Sequence, residues 1–168
     1  MLFAWDISSH MEIERKFLVK KMPDLNKYSF KTLEQGYLCT SPTVRIRKED
    51  DKYYLTYKCK TDIGEDNIAR EEYNLPLSKE AYEHLLSKAD GNIISKKRYL
   101  IPLGRNKEGS DLTAELDVFA PPFAPLVFAE VEFPTVAEAH SFEKPDWLGE
   151  DVSDKREYYN TYLASMSF

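Results

Sequence analysis

Carboxylates recur two residues apart in Glu12 and Glu14, in Glu115 and Asp117, and in Glu130 and Glu132. Cations recur at the same spacing in Arg45 and Arg47 and in Lys96 and Arg98, joined by Lys16, Lys58 and Arg70, with Glu72 two residues after Arg70. Carboxylate oxygens are the hard donors that Mg2+ or Mn2+ prefer, and such ions are often held by a few carboxylates plus substrate phosphates. Arginine matches phosphate oxygens with a planar fork, and lysine meets them as a point charge. These seven acids and seven bases, neutral in sum when all are ionised, describe a site for a polyanion bridged to divalent metal.

A spacing of two is the parity of a β-strand, where every second side chain points the same way. Alternating segments recur along the chain: EIERKFLV, EQGYLCT, TVRIRKE, KYYLTYKCK, IAREEYNLPL, NIISKKRYLIPL, DLTAELDVF and LVFAEVEF. Turn signals separate them in KEDDK, DIGED, GRNKEGS and APPFAP. Eight antiparallel strands are predicted. Helices are expected in SKEAYEHLLSKADG, where Ser78 caps and Gly91 stops, in the C-terminal SDKREYYNTYLA, and over a shorter stretch in TVAEAHSF.

One strand with a charged and an apolar face is ordinarily a half-buried strand with its charges in water. Six strands that each place charge pairs or triplets at i, i+2 fit that reading poorly. An eight-stranded sheet curls closed and loses its edges; charges pointing inward must then be satisfied by one another, by water, or by ions and a ligand. The carboxylate pairs come mainly from the first, seventh and eighth strands and the cations from the third, fourth and sixth, which makes two half-sites.

The 168 residues, 42% hydrophobic and 13% aromatic, are enough for one domain with a core. Residues 1–10 read as an N-terminal extension and 11–168 as a single domain. A net charge of -6 argues against nucleic acid or a membrane as partner. Cys39 and Cys59 lack metal-ligand spacing and read as free thiols, and with neither a leader pattern nor a long apolar run a cytoplasmic protein is expected. His10, His84 and His140 fall outside the charged strands, and no Walker loop or nucleophile elbow occurs. Tyr158, Tyr159 and Tyr162 read as a helix packing stripe and Trp147 as a structural anchor.

Glu12-Ile-Glu14-Arg-Lys16 resembles the ExExK signature of the CYTH superfamily, the triphosphate tunnel metalloenzymes that include class IV adenylyl cyclases and thiamine triphosphatases. VRIR, LTYK, REEYNLP, KKRYLIP, ELDVF, AEVEF and WLGEDVSDKREYYN follow in family order over roughly residues 11 to 165. The resemblance implies a mainly β fold: an eight-stranded antiparallel closed β-barrel tunnel, charged inside, with helices packed outside. It implies metal binding by Glu12, Glu14, Glu130 and Glu132, with Glu115 and Asp117 beside them as catalytic acids that bind metal or orient water. It assigns the triphosphate to Lys16, Arg45, Arg47, Lys58, Lys96 and Arg98. Arg70 and Glu72 belong to the substrate-binding set or form an ion pair that aligns the wall.

The first expectation is Mg2+- or Mn2+-dependent hydrolysis of inorganic triphosphate, because the constellation addresses only phosphates and metal. Class IV adenylyl cyclase acting on ATP, thiamine triphosphatase, and a non-catalytic polyphosphate- or nucleotide-binding module are the alternatives. Monomer and homodimer both stay open.

Overall fold

The computed structural model describes residues 9–60 and 69–168. The start of the N-terminal extension and the predicted DIGED turn lie outside the described residues. The alternation seen in sequence produces the strands β1 (Ser9–Val19), β2 (Phe30–Thr40), β3 (Thr43–Glu49), β4 (Lys52–Lys60), β5 (Ala69–Pro76), β6 (Asp90–Arg105), β7 (Asp111–Phe119), β8 (Val127–Glu132) and β9 (Leu148–Asp151). Hydrogen bonding runs β5-β4-β3-β2-β6-β7-β8-β1-β9, and β1 also pairs with β5. That last pairing closes an eight-stranded antiparallel barrel, which removes the exposed edges an open sheet would present.

β1 begins at Ser9, three residues before the predicted segment EIERKFLV, and its length serves two neighbours. Residues Ser9 to Ile13 pair with β5. Further along, Phe17 and Val19 pair with β9, a strand the sequence pattern did not reveal. Arg15 points outward and fastens this region: it donates from Nε and Nη2 to Asp151 Oδ2 at 2.8 and 2.6 Å, and from Nη1 to the Ala139 carbonyl at 2.7 Å.

Apolar residues on the outer face of β1, β7 and β8 form one core. Phe17, Ala114, Leu116, Ala129 and Val131 are buried there with Ala139 of α2 (Val136–Ser141) and Leu148 of β9. Helix α1 (Lys79–Leu86) starts at Ser78, whose side chain accepts from Ala81 N at 3.1 Å, and buries Tyr82 against Tyr53. The apolar outer face is therefore covered in part by helices, as expected, and in part by β9.

The interior is not charged throughout. Tyr37, Ile94, Phe119 and Phe128 project inward from β2, β6, β7 and β8 and cluster with Phe123, Leu163 and Ala164. This apolar plug lies toward one end of the barrel, on the side of β2, β6, β7 and β8. Leu163 and Ala164 belong to α3 (Asn160–Ser165), which is held by Asn92 Nδ2 donating to the carbonyls of Leu163 and Met166 at 3.2 and 2.7 Å. Gly91 makes that seat: its φ is +68°, and a Cβ there would lie 2.1 Å from the Ala164 carbonyl oxygen.

Candidate active site

Strand parity and register assemble the charged residues inside the barrel. Glu14 lies opposite Glu132 and Lys16 opposite Glu130 in the β1–β8 pair. Glu115 lies opposite Glu130 between β7 and β8, and Arg98 opposite Asp117 between β6 and β7. The resulting cavity, about 260 Å3, is lined by Glu12, Glu14, Lys16, Arg45, Arg47, Lys58, Arg70, Glu72, Arg98, Glu115, Glu130 and Glu132, with neutral Tyr37, Thr43 and Thr56 among them. Exposure rises away from the apolar plug. On β7 the side chain of Asp117 is 0% exposed and that of Glu115 is 39%, and on β8 Glu130 is buried while Glu132 is exposed. The mouth is therefore acidic.

Two of the predicted residues stand behind the cavity wall. Lys96 and Asp117 are fully buried and paired with each other beside the aromatic plug. Asp117 also accepts from Arg98 Nε and Nη2, both at 2.7 Å. Of the two predicted catalytic acids, only Glu115 reaches the cavity. Asp117 instead holds Arg98, whose remaining donors go to Glu115 and, at 2.6 Å, to Glu130.

Ion pairs account for four of the cations. Lys16 Nζ lies 3.0 Å from Glu130 and donates to the Tyr158 carbonyl at 2.9 Å. Lys58 bridges Glu12 and Glu72, the latter at 3.0 Å. Lys96 and Arg98 are paired as above. Arg45 and Arg47 differ: among the described residues neither guanidinium has a carboxylate partner, and both Nε groups are sealed from solvent without a hydrogen bond. Arg70 and Glu72 do not pair with each other among the described residues, since Glu72 takes Lys58 and the Arg70 guanidinium sits 5.3 Å from the centre of the Tyr159 ring.

Protonation follows from these surroundings. Burial, reinforced by the nearby charges of Arg45 and Arg98, pulls Arg47 down to about 10, so it remains charged at neutral pH. Burial and then the Glu14 charge push Glu12 up to about 7 despite Lys58. Burial also works against Glu130 as an anion, but Lys16, Arg98 and Lys96 outweigh it and hold its carboxyl well below the usual range. Glu115 is raised, by burial first, even beside Arg98. The positive half of the cavity thus holds two arginines without a direct carboxylate contact among the described residues, and the negative half holds carboxylates that ionise reluctantly.

Sequence reasoning missed Gln35 and Tyr37 on β2. Both are buried and face inward, with Gln35 Nε2 donating to the Tyr37 hydroxyl at 3.0 Å. Their i, i+2 spacing in EQGYLCT was the one signal in the sequence, and register sets them opposite Arg47 and Arg45. Tyr159 was read as helix packing, yet it lines the cavity with Asn160 and Thr161.

A sequence model of the CYTH domain matches residues 10–165. The chain is 37% identical over 157 residues to an inorganic triphosphatase of Nitrosomonas europaea, covering 91% of this chain and 96% of that protein. It is 35% identical over 155 residues to an inorganic triphosphatase of Acetivibrio thermocellus, covering 91% and 92%. A crystal structure of an inorganic triphosphatase superposes with a TM-score of 0.64 at 33% identity, covering 93% of this chain and 95% of that one. With the closed barrel, its inward charges and these likenesses in agreement, the chain belongs to the CYTH domain family.

Proposed function

We propose that the protein hydrolyses inorganic triphosphate to pyrophosphate and phosphate inside the barrel, with help from a divalent metal ion. The observation that carries this reading is the pair Arg45 and Arg47, two guanidinium groups lining one cavity, neither in direct contact with a carboxylate among the described residues and each with an Nε that has no hydrogen-bond partner. Such donors are completed by an anion rich in oxygens. The relatives named as inorganic triphosphatases support the same substrate. A cavity of about 260 Å3 also falls below the roughly 300–1,000 Å3 typical of sites for drug-sized organic ligands.

Glu12, Glu14, Glu130 and Glu132 offer hard oxygen donors on neighbouring strands, which fits Mg2+ or Mn2+. Among the described residues no three acidic, histidine or cysteine side chains converge closely enough to hold an ion unaided. That suits an ion completed by substrate phosphate oxygens. When bound, it supplies charge neutralisation and an acidified water. Arg45 and Arg47 hold the phosphate chain, and their fixed charges favour the oxygen charge that spreads in the transition state. Lys16 and Lys58 line the border between the two halves. Glu115, raised above its ordinary value, orients the attacking water and takes up its proton.

The test is a product assay with Mg2+ or Mn2+, offering tripolyphosphate, ATP and thiamine triphosphate separately. Phosphate and pyrophosphate from tripolyphosphate, lost on chelation and weak with the organic substrates, is the expected result. Cyclic AMP with pyrophosphate from ATP would overturn it in favour of a cyclase, and binding without turnover would leave a binding module.

A further inference from the structure

The inner face of β3, β4 and β5 carries a hydrogen-bonded chain that neither the phosphate-holding nor the metal-holding role explains. Arg45 Nη2 donates to Thr56 Oγ1 at 3.3 Å. Thr56 gives its single proton to Asn74 Oδ1 at 2.6 Å, and Asn74 Nδ2 donates to Glu72 Oε1 at 2.6 Å. The other Glu72 oxygen faces Lys58 at 3.0 Å, and Lys58 also pairs with Glu12. Register places the members side by side, Arg45 opposite Thr56 and Thr56 opposite Asn74. Hydrogen bonds therefore run unbroken from the Arg45 guanidinium to Glu72, and ion pairs through Lys58 carry the connection on to Glu12.

Thr56 is the link that chemistry makes hardest to replace. A guanidinium only donates and an amide oxygen only accepts, whereas a hydroxyl does both at once. Thr56 is 1% exposed, so its hydroxyl is committed to these protein partners. Among the described residues it is also the one protein group hydrogen-bonded to the Arg45 guanidinium. Asn74 fixes the direction of the Thr56 proton, which leaves a hydroxyl lone pair for Arg45.

We propose that Thr56, oriented by Asn74, is a positioning residue for triphosphate hydrolysis: it fixes the Arg45 guanidinium toward the cavity and ties it to the Glu72–Lys58–Glu12 chain. The proposal rests on the reading of the cavity as a triphosphate site. Its range is narrow, since the role assigned to Thr56 is exerted through Arg45.

The experiment measures tripolyphosphate affinity by calorimetry and steady-state kinetics for Thr56→Val, Thr56→Ser and Asn74→Ala, and for Thr56→Val combined with Arg45→Ala. Losing a hydrogen bond to a charged group predicts a rise of about tenfold in KM for Thr56→Val, with a smaller change in kcat. Thr56→Ser should stay within about twofold of the parent. In the Arg45→Ala background the Thr56→Val effect should vanish, because the two residues act as one unit. Independent, multiplying losses would overturn the proposal, as would an unchanged KM for Thr56→Val. Should that variant fold poorly, Asn74→Ala carries the test, with a loss in the same direction that also disappears in Arg45→Ala. A parent protein that neither binds nor cleaves tripolyphosphate would remove the functional reading itself, whereas a binding parent with unaffected variants would remove only the role of Thr56.

Discussion

Arg47 and Arg98 enter the same cavity with different surroundings. Arg98 is gripped by Asp117, Glu115 and Glu130, and its removal would leave Asp117 to Lys96 alone, Glu130 to Lys16 alone and Glu115 without its cation, at a cost of up to about 3–5 kcal/mol. Arg47 has no such partners among the described residues. Arg47→Ala should therefore weaken tripolyphosphate binding by ten- to a hundredfold, the equivalent of about 1.5–3 kcal/mol, while its melting temperature stays at or above that of the parent. Calorimetric titration and a thermal melt check both halves of that statement. Lys96 gives a pH-dependent counterpart. Burial, against which Asp117 only partly compensates, lowers its ammonium to about 8. A lowered folded value means the folded state is penalised for carrying that proton. The penalty is complete below pH 8 and relieved as pH rises from 8 toward the unfolded value near 10.4. Relative to Lys96→Met, the parent should gain stability over that window, by at most about 3 kcal/mol. Denaturant melts of both proteins at pH 7 and pH 10 test this, and a constant difference would refute it.

At the scale of elements, charge made the inward face legible and its absence hid the exceptions. Glu12, Arg45, Lys58, Arg98 and Glu130 announce their direction because paired charges at i, i+2 rarely recur on so many strands by chance. Gln35 and Tyr37 carry no charge, and on a strand they resemble an ordinary polar and aromatic mixture. The strand β9 escaped because LGED has neither alternation nor β-branched residues; the backbone of β1 imposes its extended form, with Val152 N donating to the Lys16 carbonyl at 2.8 Å. The C-terminal helix was expected to be continuous, but it is split. A 3-10 turn spans Arg156–Tyr158, Tyr159 is extended, and α3 follows. The Tyr158 carbonyl is taken by Lys16 instead of continuing a helix. The seat of α3 is specified by one residue, so Gly91→Ala, with its strained φ and backbone collision, should lower stability by about 2 kcal/mol or more. A thermal melt checks the loss, and the Asn92 amide signals in hydrogen exchange should lose protection with it.

For the whole molecule, closure of the sheet does the positioning. An open sheet would leave the β1 and β5 edges unpaired, and Glu12 would not stand opposite Arg70. Because each wall residue is fixed by its strand, the charges are already arranged before any ligand arrives, which spares the cost of ordering them on binding. The family resemblance in sequence anticipated this closure. It did not anticipate the plug of Phe119, Phe123, Phe128, Ile94 and Leu163, because those residues lie far apart in the chain and each looks like ordinary core.

That plug has a kinetic meaning. Among the described residues the aromatic cluster sits at the end of the barrel away from Glu14 and Glu132, so product that leaves past those two carboxylates retraces the way substrate came in. Pyrophosphate left deep among the arginines would then block the next substrate, so it should inhibit competitively against tripolyphosphate. Opening the far end with Phe128→Ala should weaken that inhibition more than it weakens substrate binding, and initial-rate patterns with added pyrophosphate would show it. On that outcome, traffic through the molecule, and not only chemistry within it, would be set by where aromatic side chains replace charged ones along the same strands.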